Sequence, residues 1–179
     1  MFSEMSREAG STERDNTLRS FQNVGNRRAI VVLNNPPVNG VLEFIQQGSG
    51  SRLVLNGNVS GLTPGKHGFH IHEYGDVSQG CGSTKGHYNP FQVKHGAPDA
   101  EERHVGDLGN IIADQNGVAQ VRIVDSVLSL YGDTSVIGRA IVVHAGEDDL
   151  GRGGDEGSMN TGNAGGRVAC GIIGIAPPQ

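Results

Sequence analysis

The chain has 179 residues, 29 of them glycine, no tryptophan, and a formal net charge of −5. This length suits one domain with a sizeable core, and the acidic balance argues against nucleic acid or an anionic membrane surface as the main partner. No run of about 18 apolar residues occurs, so nothing in the sequence reads as a bilayer span.

Residues 1–25 come first. They are polar and of mixed charge and lack the apolar centre of a signal peptide; Glu4, Glu8, Glu13 and Asp15 are wrong for a mitochondrial transit peptide. They read as a mobile tail ahead of a domain over 26–179, in a cytoplasmic protein. Eight short β-runs follow: Arg28–Leu33, Val38–Gln47, Arg52–Leu62, Gly65–Glu73, Asp107–Asp114, Gly117–Asp125, Gly138–His144 and Arg167–Ile175. Each is rich in β-branched or large apolar residues and bounded by turn residues, the pattern of an antiparallel sandwich or barrel. Gln115-Asn116-Gly117 predicts a hairpin turn. Asn56-Gly57 reads as a turn or as a glycine bulge in a continuous strand. Two connections, Asp76 to about Gly106 and Ala145 to about Gly166, are far too long for hairpins, and such loops are usually functional or disordered.

Six of the seven histidines and one aspartate are spaced to suit metal ions. His70 and His72, at i and i+2 of a predicted strand, point to one face. His144 ends another β-run and can close that site. His87, His95, His104 and Asp107 lie along the first long loop, and three nitrogens with one carboxylate suit tetrahedral zinc. Two complete four-ligand shells need one more ligand than these seven residues supply. A histidine bridging two ions through both ring nitrogens resolves the count, and His87, first in the loop, is the natural candidate. His-x-His alone is a weak signal, and a lone cysteine pair, Cys81 and Cys170, reads equally as two buried thiols or a disulfide.

Gly68-Phe69-His70-Ile71-His72-Glu73-Tyr74-Gly75-Asp76 resembles the first signature of the copper/zinc superoxide dismutases, eukaryotic type. Gly162-Asn163-Ala164-Gly165-Gly166-Arg167-Val168-Ala169-Cys170-Gly171 resembles the second, and the stretch Asp99–Gly109 is also similar. The resemblance implies an eight-stranded antiparallel Greek-key barrel with two long functional loops. It implies one copper per subunit on His70, His72, His87 and His144, and one zinc on His87, His95, His104 and Asp107, with His87 as the bridge. It further implies Asp148 as a hydrogen-bond link between His70 and His95, Arg167 as a guanidinium beside copper, and a Cys81–Cys170 disulfide. His67 is placed near the ligands in a structural role. The implied reaction is disproportionation of superoxide, with His87 detaching from copper on reduction, taking a proton and passing it to the product. Copper and zinc make the local charge positive, so a negative body can still focus an anionic substrate. The implied partners are a second copy of the chain, meeting through the apolar Gly171–Ile175 stretch, and a copper chaperone.

One departure stands out. Many relatives carry a lysine just before the Thr-Gly-Asn-Ala-Gly run; here Ser158-Met159-Asn160 precede Thr161, and Gly157 stands where a carboxylate is common. The expected result is weaker steering with a shallower salt dependence. A non-catalytic copper-delivery domain and a structural zinc-binding domain on the same fold are the competing readings; the complete ligand set, the absence of a Cys-x-x-Cys motif and Arg167 argue against them. Asn58-Val59-Ser60 fits a glycosylation sequon, read as accidental.

Overall fold

The computed structural model describes residues 25–178; the expected N-terminal tail, Gly25 aside, lies outside the described residues. Among these residues there are ten strands: β1 Arg27–Asn35, β2 Val38–Gln46, β3 Leu53–Ser60, β4 Gly65–His72, β5 Ser78–Cys81, β6 Asp107–Ala113, β7 Ala119–Asp125, β8 Ala140–His144, β9 Arg167–Ile172 and β10 Gly174–Ala176. A 3-10 turn at Gly82–Thr84 and one short helix, α1 Glu156–Thr161, complete the elements among the described residues. No helix among the described residues is long and apolar enough to cross a membrane.

All eight predicted runs are strands. Nine strands form one antiparallel sheet in the order β10-β1-β2-β3-β7-β6-β4-β8-β9. In that order β3 neighbours β7 and β4 sits between β6 and β8, which are the crossovers of a Greek key. The count exceeds eight for two reasons. The last run breaks at Ile173: β9 pairs with β8, while β10 pairs with β1 through Arg28↔Ala176 and Ile30↔Gly174. Because strands at opposite ends of the sheet are joined by a single residue, the sheet curls into a nearly closed barrel. The close approach needs Gly171, where a Cβ would stand 2.5 Å from the Val32 carbonyl oxygen. The additional strand, β5, lies in the first long loop and outside this sheet.

The barrel interior follows from alternation. Ala29, Val31 and Leu33 of β1, Leu42 and Phe44 of β2, and Leu53 and Leu55 of β3 point inward and are buried. Each such Leu or Phe contributes roughly 1.5–3 kcal/mol by leaving water. The Gln115–Gly117 turn is as expected, with Asp114 N–H donating to Val118 O at 2.9 Å. Asn56-Gly57 makes neither a turn nor a break in register: Asn56, Gly57 and Asn58 pair in sequence with Glu43, Leu42 and Val41. Gly57 is required there because its φ is +151° and a Cβ would sit 2.2 Å from Val41 O.

Candidate metal centre

β4 supplies the floor of the centre. From His67 onward its residues are buried on both faces: Phe69 and Ile71 enter the barrel, while His70 and His72 face the two long loops. β8 pairs with β4 through His70↔Val142 and His72↔Ala140, which brings His144 at the strand end beside them. Gly68 makes the room, since a Cβ there would be 3.1 Å from His70 Cε1, 3.4 Å from His144 Cβ and 2.6 Å from Ala164 Cβ. The first long loop is stitched to β4 by backbone bonds. Tyr88 N–H donates to Ile71 O at 2.8 Å, and Ile71 N–H donates to Gly106 O at 2.9 Å. These place His87 opposite His72 and carry Asp107 into β6.

The six histidines and Asp107 therefore meet in two adjoining groups, all buried. His70, His72, His87 and His144 offer ring nitrogens within 4.8 Å of one another, as do His87, His95, His104 and Asp107 with their own ligand atoms. His87 belongs to both groups.

Each ring other than His87 has one nitrogen held outside its group. His70 Nε2 and His95 Nε2 donate to the two oxygens of Asp148, at 2.7 and 2.8 Å. His72 Nδ1 donates to Lys85 O at 2.7 Å, His144 Nδ1 to Gly165 O at 3.0 Å, and His104 Nε2 to Val93 O at 3.1 Å. A proton fixed at one nitrogen leaves a lone pair on the other, aimed inward. His87 has no acceptor outside the centre: its Nδ1 is 2.9 Å from Asp107 Oδ1, and its Nε2 is buried without a hydrogen-bond partner.

The donor set fits cations. His70 Nδ1, His87 Nε2 and His95 Nδ1 are buried polar atoms without hydrogen-bond partners, and such atoms are costly unless something satisfies them. His95 Nδ1 does lie 2.9 Å from Asp107 Oδ1, but out of hydrogen-bonding alignment. His87 Nδ1 and His104 Nδ1 approach the same oxygen at 2.9 and 3.1 Å and each other at 3.3 Å. Donor atoms on a tetrahedral ion with arms near 2.0–2.1 Å would stand roughly 3.3 Å apart, close to this spacing.

The electrostatics agree. Burial, then the nearby His87, pushes His70 down to about 3 and His72 down to about 2. Burial likewise lowers His144 to about 4 and lowers His87 despite the pull of Asp107. These rings are neutral at physiological pH, the state a metal ligand requires. His95 goes the other way: burial opposes its charge, but the adjoining carboxylates of Asp107 and Asp148 outweigh this and raise it to about 9. Burial also opposes ionisation of Asp107 and Asp148, yet hydrogen bonds from the surrounding imidazoles hold both well below the usual carboxylate range.

A cleft of about 330 Å³ opens onto this centre, lined by His72, His87, His144, Thr161, Asn163 and Arg167 among others. Arg167 is in register with His144 at the start of β9. Its guanidinium donates to Cys81 O at 2.6 Å, to Thr84 Oγ1 at 2.9 Å and to Lys85 O. The Cys81–Cys170 disulfide, with Cα atoms 5.6 Å apart, ties that acceptor loop to β9. His67 stands apart from both groups, between the carbonyl oxygens of His144 and Thr63 at 2.8 Å each.

Several contributors were not anticipated from the sequence. Asn110 on β6 exchanges two bonds with the Asp148 backbone at 2.8 and 2.9 Å, fixing the second loop where it crosses the centre. Thr84, fully buried, adds its hydroxyl to the arginine's acceptors. Helix α1 presents the Met159 carbonyl to His95 N–H at 2.9 Å. Its ends carried a readable signal: Asp155 caps it through Ser158 N–H, and Gly162 closes it in the left-handed conformation.

The fold and the two donor groups define a β-barrel protein able to hold two neighbouring metal ions. Residues 38–173 match the family described as copper/zinc superoxide dismutase (SODC), and the chain belongs to that family. Its members typically hold copper and zinc, and superoxide is the substrate the family implies.

Proposed function

We infer that the protein is a superoxide dismutase in which His70, His72, His87 and His144 hold copper, and His87, His95, His104 and Asp107 hold zinc. The observation that carries this reading is His87, whose two nitrogens both face inward while the other five rings each spend one on an outside acceptor. A shared imidazole belongs between two ions rather than in a single structural zinc site.

Bound copper would supply one-electron cycling, and zinc, with no redox step of its own, would order the loop. Two superoxide ions and two protons give one dioxygen and one hydrogen peroxide. The chain's residues bind, orient and supply protons. Arg167 lines the cleft with its charge fixed by three acceptors, so it can receive an anion without reorganising. His87 also lines the cleft, and its Nε2, which has no other partner, would carry a proton whenever it is not holding an ion. Asp148 locks His70 and His95 at once, so that positions in the two groups are set together. The exposed Ile172 and Ile175 of β9 and β10 support the further reading of a homodimer meeting on that face.

The test is metal analysis and superoxide turnover on one purified, metal-loaded sample, beside His87→Ala. The reading predicts one copper and one zinc per chain and rapid turnover, with both disturbed in the variant. Zinc binding without copper after copper loading would favour a structural zinc protein, and an unaffected His87→Ala would remove the bridge.

A further inference from the structure

Lys85 holds φ +62° and ψ −138°, a backbone region that glycine occupies freely and a side chain only under strain. The work done there by its backbone needs no side chain. The Lys85 carbonyl accepts from His72 Nδ1 at 2.7 Å and from the Arg167 guanidinium, and a glycine would offer the same carbonyl without the strain. The side chain therefore calls for its own account. It is exposed, and it is joined directly to Gly86, which lines the cleft with His72, His87 and Arg167. Arg167 is the sole charged side chain in that lining, and the second loop offers Asn160 in place of a lysine.

We propose that Lys85 is a steering residue, whose ammonium supplies from the first long loop the attraction for a small anion that the second loop does not supply at Asn160. This rests on the dismutase reading given above. A positive charge about 10 Å from the path of an anion raises its local concentration roughly twofold in water. The effect fades as the screening length falls from about 30 Å at 0.01 M salt to about 3 Å at 1 M. Asp76, an exposed acid on the same loop, feels the Lys85 charge and offsets part of it, so about twofold is an upper limit.

The experiment compares metal-loaded enzyme carrying Lys85→Gln, Lys85→Glu, Lys85→Arg or Lys85→Gly with the native chain at equal metal content. Two readouts are followed against ionic strength: superoxide kcat/KM, and the affinity for azide, a non-reacting anion, by optical titration. Lys85→Gln should lower both up to about twofold near 0.01 M salt, and Lys85→Glu up to about fourfold, with all curves converging near 1 M. Lys85→Arg should match the native chain. Lys85→Gly should show the loss seen for Gln together with a thermal midpoint raised by a few degrees, about what relief of one strained residue gives. Unchanged salt profiles in Lys85→Gln and Lys85→Glu, or an equal loss in Lys85→Arg, would overturn the proposal, as would a lower midpoint in Lys85→Gly. Native protein that binds azide but does not turn over superoxide would refute the dismutase reading instead, and the azide series would still judge Lys85.

Discussion

Gly162 lies directly against the carboxylate of Asp148: a Cβ on this glycine would stand 1.9 Å from Asp148 Oδ1 and 2.6 Å from His95 Nε2. The residue also has φ +68° as the C-cap of α1. Any side chain there is both strained and in collision with the one hydrogen bond that joins His95 to Asp148. Gly162→Ala should therefore separate that pair and weaken zinc binding by about 10–100-fold, the range for lost outer partners of metal ligands. Competition with a calibrated chelator measures it. An unchanged affinity would mean that the Asp148 link does not tune the His95 position.

Arg103 is the neighbour of His104 and enters the protein with its charge. Its guanidinium donates to Asp125 Oδ2 at 2.7 Å and to Pro98 O at 2.7 Å, and the side chains of the pair are 3% and 5% exposed. Asp125 also accepts the Val127 and Leu128 backbone N–H groups. Removing one partner of a buried pair leaves an uncompensated charge, at a cost of about 3–5 kcal/mol. Asp125→Ala should lose that much in denaturant unfolding, measured on metal-free protein so that metal loss does not add to it. A loss under about 1 kcal/mol would place the pair with solvent-screened surface bridges instead.

The parts of the centre legible in the sequence are those that local periodicity controls. His70 and His72 share a face because strand residues alternate, and His144 joins them because β8 is an apolar run with its histidine at the end. Ligand spacing in the first loop was equally readable. What sequence could not supply was long-range: Asn110 meets Asp148 across 38 positions, and Thr84 meets Arg167 across 83. Nothing local to Asn110 or Thr84 marks them. The break at Ile173 was hidden for a related reason, since a continuous apolar run does not reveal that its two halves pair with different neighbours. The strand at Ser78–Cys81 is short and exposed, so no apolar pattern marked it. The family resemblance, by contrast, carried residues such as Asp148 and Arg167 whose local context is that of ordinary surface charges.

The disulfide should matter to stability and to the cleft. Its cysteines are 89 positions apart, and closing so long a loop stabilises by up to about 4–5 kcal/mol in the chain-entropy account. Cys81 also lends its carbonyl to Arg167, so releasing the loop loosens the arginine. The Cys81→Ser, Cys170→Ser double variant should unfold at lower denaturant by an amount approaching that figure. It should also bind small anions less tightly after metal loading. Lower stability with native anion affinity would separate the two roles.

Acid should destabilise the metal-free protein from just below neutrality. In the folded state His70, His72 and His144 take protons only near pH 3, 2 and 4. In the unfolded chain they do so near the ordinary imidazole value of about 6.5. Between these limits the unfolded state binds more protons, so stability falls as pH falls. The depressed carboxyls of Asp107 and Asp148 add a second loss once pH drops through their unfolded range near 4. Urea midpoints from pH 8 to 4 should decline from about 6.5 downward; a flat profile to pH 4.5 would contradict the burial of neutral rings.

Zinc binding to the metal-free protein should release a proton from His95. His95 in the metal-free protein is raised to about 9, because Asp107 and Asp148 together outweigh its burial, so it is protonated at pH 7.5. A ligand nitrogen must be free of its proton on the metal side, and zinc on His95 must therefore expel one. The rings of the other group, His70, His72 and His144, are already neutral at that pH, and a bridging His87 would give up its remaining proton only with both ions bound. The sign follows from the raised value: the His95 proton stabilises the metal-free fold fully below about pH 6.5 and is lost as pH rises through 9. Apparent zinc affinity should accordingly increase by up to about tenfold per pH unit from 7 to 9 and then level off. Calorimetric titration with zinc in buffers of different ionisation enthalpy should report about one proton released at pH 7.5, and close to none at pH 10. Zinc uptake without proton release at pH 7.5 would show that His95 is neutral before the ion arrives.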